Sequence, residues 1–241
     1  MWRDVVDLRD FYATGLGQTA HRMIAAGIGG LWPSLAGMSV LGLGYATPYL
    51  SPFRRTAART LATMPASQGT LPWPSSGPGL TTLAHESELP FPDLSMDRIL
   101  LVHGLEFSDQ VRPMMREIWR VLADNGRLLI VIPNRRGIWA RFERTPFGHG
   151  SPYTTSQLSR VLRENMLTPV KTRRALFVPP TSSKVLLSSA AAWEKAGLRW
   201  FPTFSGVLLM EASKQIYAVA SPSPVRRRAY VPVSDNVSPR S

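Results

Sequence analysis

The stretch Gly37-Met38-Ser39-Val40-Leu41-Gly42-Leu43-Gly44-Tyr45-Ala46-Thr47-Pro48 most constrains what this chain can fold into. It reads as a short buried strand that runs into a tight turn, where backbone can approach a ligand. Two later runs, residues 98–103 and 127–133, repeat the buried-strand character. Fully apolar runs of this length suit strands covered on both faces, as in a parallel sheet. A helical segment precedes each repetition, which predicts an open α/β sheet. Ligands of such sheets lie at the carboxyl ends of the strands, so the turn after Leu43 predicts a nucleotide-type cofactor site.

The remaining segments supply cover and connections. Ala20, Met23, Ile24 and Ile28 follow helical spacing over residues 18–28, and Gly29-Gly30 stops that helix. Residues 49–58 read as a short helix, with weak strands over 59–64 and 81–84. Between these strands, residues 65–80 are rich in Pro, Gly and Ser and read as loop. Asp109 is placed to cap a helix that runs to Ala123, with Met114, Met115, Ile118, Val121 and Leu122 as its buried stripe. Gly126 fits the left-handed position beyond its end. Thr155 caps a helix through Glu164, and residues 190–196 form another, ended by Gly197. Residues 171–187 fit no single element. Residues 207–212 and 215–220 read as two strands joined at Ser213-Lys214, a C-terminal antiparallel hairpin.

Composition limits the function classes. The chain has 241 residues, enough for one sizeable core. It has no cysteine, and its four histidines are scattered at 21, 85, 103 and 149, which argues against a zinc-type metal site. The formal net charge is +12. The arginines are spread along the chain rather than grouped in a block, so charge alone is a weak pointer to nucleic acid, and a nucleic-acid partner is not the expectation. Residues 23–53 carry no charge, yet Gly27, Gly29, Gly30, Pro33, Gly37, Gly42, Gly44 and Pro48 interrupt them, against a transmembrane span. Met1-Trp2-Arg3-Asp4 lacks the form of a signal peptide, so the expected location is cytoplasmic.

Taken in order, the motifs resemble those of the class I S-adenosylmethionine-dependent methyltransferases, and of the small-molecule methyltransferase type 11 group in particular. The residues that carry the resemblance are Val40-Leu41-Gly42-Leu43-Gly44, Leu89-Pro90-Phe91-Pro92-Asp93 with Ser95-Met96-Asp97, and Leu105-Glu106. The helix Arg116-Glu117-Ile118-Trp119-Arg120-Val121-Leu122 and the strand Gly126-Arg127-Leu128-Leu129-Ile130-Val131-Ile132-Pro133-Asn134 complete the set. The resemblance implies a doubly wound, mostly parallel, Rossmann-like sheet with a C-terminal antiparallel hairpin. It implies one methyltransferase-like domain over residues 1–220, with an N-terminal helical segment over 1–37, a cofactor-binding core over 38–133 and a substrate-side segment over 134–220. Residues 221–241 read as a disordered tail.

The same resemblance implies S-adenosylmethionine as cofactor and a small molecule as methyl acceptor. It implies that Gly42, Leu43, Gly44, Tyr45 and Ala46 lie beneath the methionine part, with Met64 and Pro65 near the ribose. His85 and Glu86 fall near the adenine, and His103 near the methionyl sulfur. The cofactor motif is degenerate: the family's acids are replaced at Gly42 and at Met64 or Pro65, and His85 stands at the adenine-side aspartate. The alternative is therefore a binding or regulatory module that has kept the fold and lost catalysis.

Methyl transfer needs orientation and, for oxygen or nitrogen acceptors, a base. His103 at a strand end is a candidate base or cofactor contact, against a plain backbone-bonded histidine. His149, in Gly148-His149-Gly150-Ser151, is flanked by small residues that leave an imidazole accessible for proton transfer, against a plain loop histidine. Tyr12 is placed either to close over the cofactor or to pack in the core. Glu106 and Asp97 read as structural carboxylates. The loop over 134–142 interleaves Arg135, Arg136 and Arg141 with Trp139 and Phe142, as an anion-binding flap or as the buried edge of a short helix.

Overall fold

A computed structural model describes residues 4–215. Seven strands form one sheet in the order β3-β2-β1-β4-β5-β7-β6. They are β1 (Ser39–Gly44), β2 (Arg59–Pro65), β3 (Thr81–Ala84), β4 (Met96–Val102), β5 (Leu122–Pro133), β6 (Leu167–Ala175) and β7 (Val207–Lys214). The first five run parallel, and β7 is antiparallel to both β5 and β6. The expected doubly wound sheet is therefore present, with its antiparallel pair at the C-terminal edge.

Alternation along the strands divides the core in two. Val40, Leu100, Val102, Leu129, Val131 and Leu209 face one layer. Leu41, Leu43, Ile99, Leu101, Leu128 and Ile130 face the other. The first layer is covered by helices α1 (Val5–Ala13) and α2 (Gly15–Leu31). Along α2, Ala20, Ile24, Ile28 and Leu31 are buried at helical spacing. The Thr14 hydroxyl caps α2 by accepting from Gly17 N at 3.0 Å. The second layer is covered by α4 (Val111–Val121) and α5 (Thr155–Glu164), through Met114, Met115, Ile118, Val121, Leu158 and Leu162.

One arginine holds the β3–β4 connection in place. Arg120 donates to Glu117, Asp93 and the carbonyls of Leu89 and Phe91. Glu117 also accepts from Leu89 N at 2.8 Å, and its hydrogen bond with Arg120 pulls its carboxyl below the usual range. The turn Leu89-Pro90-Phe91-Pro92-Asp93 is thus fixed against α4.

Several local expectations are corrected. The N-terminal helical segment divides into two helices at Thr14, the first being α1, whose cap is Asp4 accepting from Val6 N. The helix expected over 49–58 shrinks to α3 (Thr47–Leu50) and one 3-10 turn (Ser51–Phe53). Asp109 does not cap α4; Gln110 N is met instead by the Ser108 hydroxyl at 3.1 Å. Gly126 is not left-handed, because α4 ends in the extended residue Leu122 and passes straight into β5, whose first residue pairs with Met96. Thr154, one residue before Thr155, caps α5 in a reciprocal capping box with Gln157.

Gly197 lies inside α7 (Ala190–Trp200) rather than ending it, because a Cβ there would meet the Phe177 ring at 2.3 Å. The antiparallel partners of β7 are β5 and β6, and Ser213 and Lys214 belong to β7 instead of a turn. The strand expected to residue 220 and the tail over 221–241 lie outside the described residues, apart from Gln215.

Leu100 sits in the middle of β4 with no exposed surface. Leu100→Ala should destabilise the fold by about 2–5 kcal/mol, read as a lower urea midpoint with an unchanged denaturant slope.

Candidate functional site

Because β1, β2, β3 and β4 are parallel, their carboxyl ends meet at one edge of the sheet. Gly44 ends β1 in the left-handed region, with φ +70°. A Cβ there would fall 2.3 Å from the Val102 carbonyl oxygen, so glycine lets the turn close against β4. Tyr45 N then donates to that same oxygen at 2.8 Å. At Gly42 a Cβ would meet Leu50 at 2.6 Å and Ala46 at 2.9 Å. Both glycines therefore serve the close packing of the chain on itself.

A buried polar chain crosses this edge. The Tyr49 hydroxyl donates to the Tyr12 hydroxyl at 3.0 Å. Tyr12 is 2.8 Å from His103 Nε2, and His103 Nδ1 is 3.1 Å from Glu106 Oε1. The directions follow from chemistry. An ionised Glu106 only accepts, so Nδ1 carries the proton and Nε2 takes the Tyr12 hydrogen bond. Burial is the main reason that Tyr12 and Tyr49 are both raised above the ordinary tyrosine range, so both stay neutral donors. Tyr12 also stacks on Tyr45, with centroids 5.7 Å apart.

His103 has φ +49°, a left-handed conformation that costs a non-glycine residue about 1–3 kcal/mol. Its surroundings hold it there. Gln68 Nε2 donates to its carbonyl, and Val5 N donates to the Gln68 carbonyl at 2.9 Å. Helix α1 is thus tied to the strand ends twice, through Tyr12 and through Val5.

Beside this chain of contacts lies a slot lined by Leu43, Gly44, Thr63, Pro65, Glu86 and Met114. Its volume is about 10 Å³, room for one water at most. Glu86 at its mouth accepts from the Ser108 hydroxyl. Three buried polar atoms at or beside the ends of β2 and β4 have no hydrogen-bond partner: Thr63 Oγ1, Gln68 Oε1 and Glu106 Oε2. Buried polar atoms are rarely left so; away from this edge, Thr60 Oγ1, Arg98 Nε and Trp119 Nε1 are unpartnered as well. Among the described residues, no His, Asp or Glu cluster could hold a metal ion. No described helix is long and apolar enough to cross a membrane.

The family described as "Methyltransferase domain" matches residues 24–130, from within α2 to the middle of β5. The sequence similarity is to that domain family, over residues 24–130. Solved structures described as methyltransferases share the fold. A Thermotoga maritima protein described as a possible histamine N-methyltransferase aligns over 89% of this chain and 97% of its own, with a TM-score of 0.63 and 14% identity. A chain from the complex of the Haloferax volcanii Trm112 methyltransferase activator with a putative methyltransferase gives 0.63 and 16%, over 89% and 96%. The geranyl diphosphate C-methyltransferase of Streptomyces coelicolor, solved with S-adenosylhomocysteine, gives 0.53 and 13%, over 80% of each chain. At these identities the likeness is one of fold. No curated protein sequence matches the chain significantly.

Most of the expected site residues gather at the strand edge. Leu43, Gly44, Pro65 and Glu86 line the slot, and Tyr45, Tyr12 and His103 adjoin it. Gly42, Ala46 and Met64 are buried in the packing behind it. His85 is exposed, with Nδ1 2.7 Å from the Ser87 hydroxyl. His149 lies in a loop that packs on Glu106, since Ser151 N donates to the Glu106 carbonyl, but its Nε2 is bound to the Glu143 carbonyl at 2.6 Å.

Trp139 is core, donating to the Val178 carbonyl at 2.7 Å, so the loop over 134–142 is in part a buried edge. Asp97 is structural, accepting from Ser39 N at 2.8 Å. Thr63, Gln68 and Tyr49 were not expected here. Nothing in their local sequence marks them, whereas the His103-to-Glu106 spacing of three was visible.

The two buried phenols make stability depend on pH. Each holds its proton more tightly in the folded chain than in the unfolded one, where tyrosine titrates near 10. Their contribution is therefore full below about pH 10 and is lost as the pH rises toward the folded values. Tyr49→Phe removes one of these contributions. Its urea midpoint should fall less steeply than that of the wild type between about pH 10 and 12; parallel profiles would show that Tyr49 is not a buried donor.

Proposed function

We propose that this chain is an S-adenosylmethionine-dependent methyltransferase acting on a small molecule, with the cofactor in the cleft at the carboxyl ends of β1, β2 and β4. The observation that carries this reading is the row of unpartnered buried atoms on Thr63, Gln68 and Glu106 at that edge. In an opened slot, Leu43, Pro65 and Met114 would supply apolar contact for an adenine and the Glu86 carboxylate would supply an acceptor. When bound, the cofactor supplies an electrophilic methyl carbon and a neutral thioether leaving group.

A slot of about 10 Å³ is far too small for that ligand. On this reading the cofactor enters with a movement of α1, the element that brings Tyr12 and the Val5 amide to the edge. The same movement uncovers His103 Nε2, while Glu106 keeps Nδ1 protonated and the ring oriented. His103 then becomes the group able to take a proton from an oxygen or nitrogen acceptor. His149 is held by the Glu143 carbonyl and is the lesser candidate.

The closed slot and the replaced acids also support a second reading, a binding module that keeps the fold without the cofactor. Calorimetric titration with S-adenosylmethionine separates the two. The enzyme reading expects binding, and silence at millimolar cofactor, by heat and by thermal shift, would end it. Given binding, Glu86→Gln should weaken it by about tenfold or more, the loss of one charge-assisted hydrogen bond. Tyr12→Phe breaks the latch on α1 and should tighten binding; weaker binding would instead make Tyr12 a lid over the ligand.

A further inference from the structure

The segment after β6 exposes an unusual set of side chains. Trp200, Phe201 and Phe204 are 67%, 62% and 56% exposed. Trp193 is seven residues before Trp200 on α7 and therefore on the same flank of the helix. On the opposite flank, exposed Leu198 borders an open groove of about 440 Å³ between α2 and α7, with Met23, Ala26 and Pro202 in its walls. Isolated exposed apolar residues are ordinary, but large aromatic ones clustered at a helix end are not.

The charge around this cluster is one-sided. Residues 171–204 hold six basic side chains, Lys171, Arg173, Arg174, Lys184, Lys195 and Arg199, and one acid, Glu194. That acid is spent internally, since its carboxylate accepts from Leu176 N and Phe177 N. Arg199 lies over the Trp200 ring at 5.6 Å, and Arg173 and Arg174 border the groove. Aromatic rings rimmed by cations match the chemistry of a lipid interface, where the rings enter the headgroup layer and the cations meet anionic lipid. A protein partner of ordinary surface would leave the unbalanced positive rim unpaired.

We propose that the face formed by α7 and the 3-10 turn after it (Pro202–Phe204) docks the protein on an anionic membrane surface. Binding is peripheral, since no described helix is long and apolar enough to span a bilayer. The proposal does not depend on the cofactor reading.

The test is co-sedimentation of the full chain with vesicles of phosphatidylglycerol and phosphatidylcholine, and with vesicles of phosphatidylcholine alone. Binding is expected to the anionic vesicles, with a blue shift of tryptophan emission, and should be lost in about 0.5 M salt. The double variant Trp200→Glu, Phe201→Glu changes two exposed side chains, and circular dichroism checks that it stays folded. It should bind anionic vesicles at least about tenfold more weakly. Absence of wild-type binding at low salt overturns the proposal. So does equal binding by the variant, which would assign adhesion to charge elsewhere. A wild-type dimer in sedimentation velocity that the variant loses would also overturn it, by giving this face to a second copy.

Discussion

The hydrogen bond between Tyr12 and His103 is the contact on which the strand edge depends. It joins the first helix to the end of β4 over 91 positions of sequence and closes a buried line from Tyr49 to Glu106. A phenol, an imidazole and a carboxylate are costly to bury separately. Here each mutual contact offsets part of that cost, so the group tolerates burial only as a set. That is why α1 packs over the edge rather than fraying, and why His103 remains in a left-handed backbone conformation.

The glycines of the turn after β1 are accounted for by packing alone. Gly44 is needed because the turn closes against Val102, and Gly42 because Leu50 and Ala46 fill the space beside it. These are demands of the chain's own packing. An acid at position 42 would meet the same obstruction, so its absence follows from a short α3 whose Leu50 turns back onto β1. Fold and ligand chemistry are separable at this edge, and the fold constrains the glycines more strongly.

What the sequence showed, and what it hid, divides along the same line. The parallel core was legible because Val40 to Leu43, Ile99 to Val102 and Leu128 to Ile132 are apolar on both faces, which few structures other than a covered sheet accommodate. Leu43, Gly44, Pro65 and Glu86, distant in sequence, line one slot. The partner of β7 was hidden because antiparallel pairing with β6 is a tertiary choice, and β6 itself carries Lys171, Arg173 and Arg174, which mask its strand character. Gln68 and Tyr49 were hidden for a different reason. Their roles come from where a loop and a short helix turn arrive in space, and nothing in the residues beside them records it.

Since burial keeps Tyr12 and Tyr49 protonated, deprotonation of the phenols cannot release α1 near neutral pH. Release must come from competition, in which a ligand supplies better partners to Thr63, Gln68 and Glu106 than the closed edge provides. The apparent affinity of any such ligand is then its intrinsic affinity reduced by the fraction of molecules that are open. A closed state favoured by about 2.7 kcal/mol would lower it about a hundredfold. The missing acids and the latch act in the same direction. On the proposed reading, a ligand would have to satisfy several buried polar atoms at once, and His103 would be exposed only while it is bound.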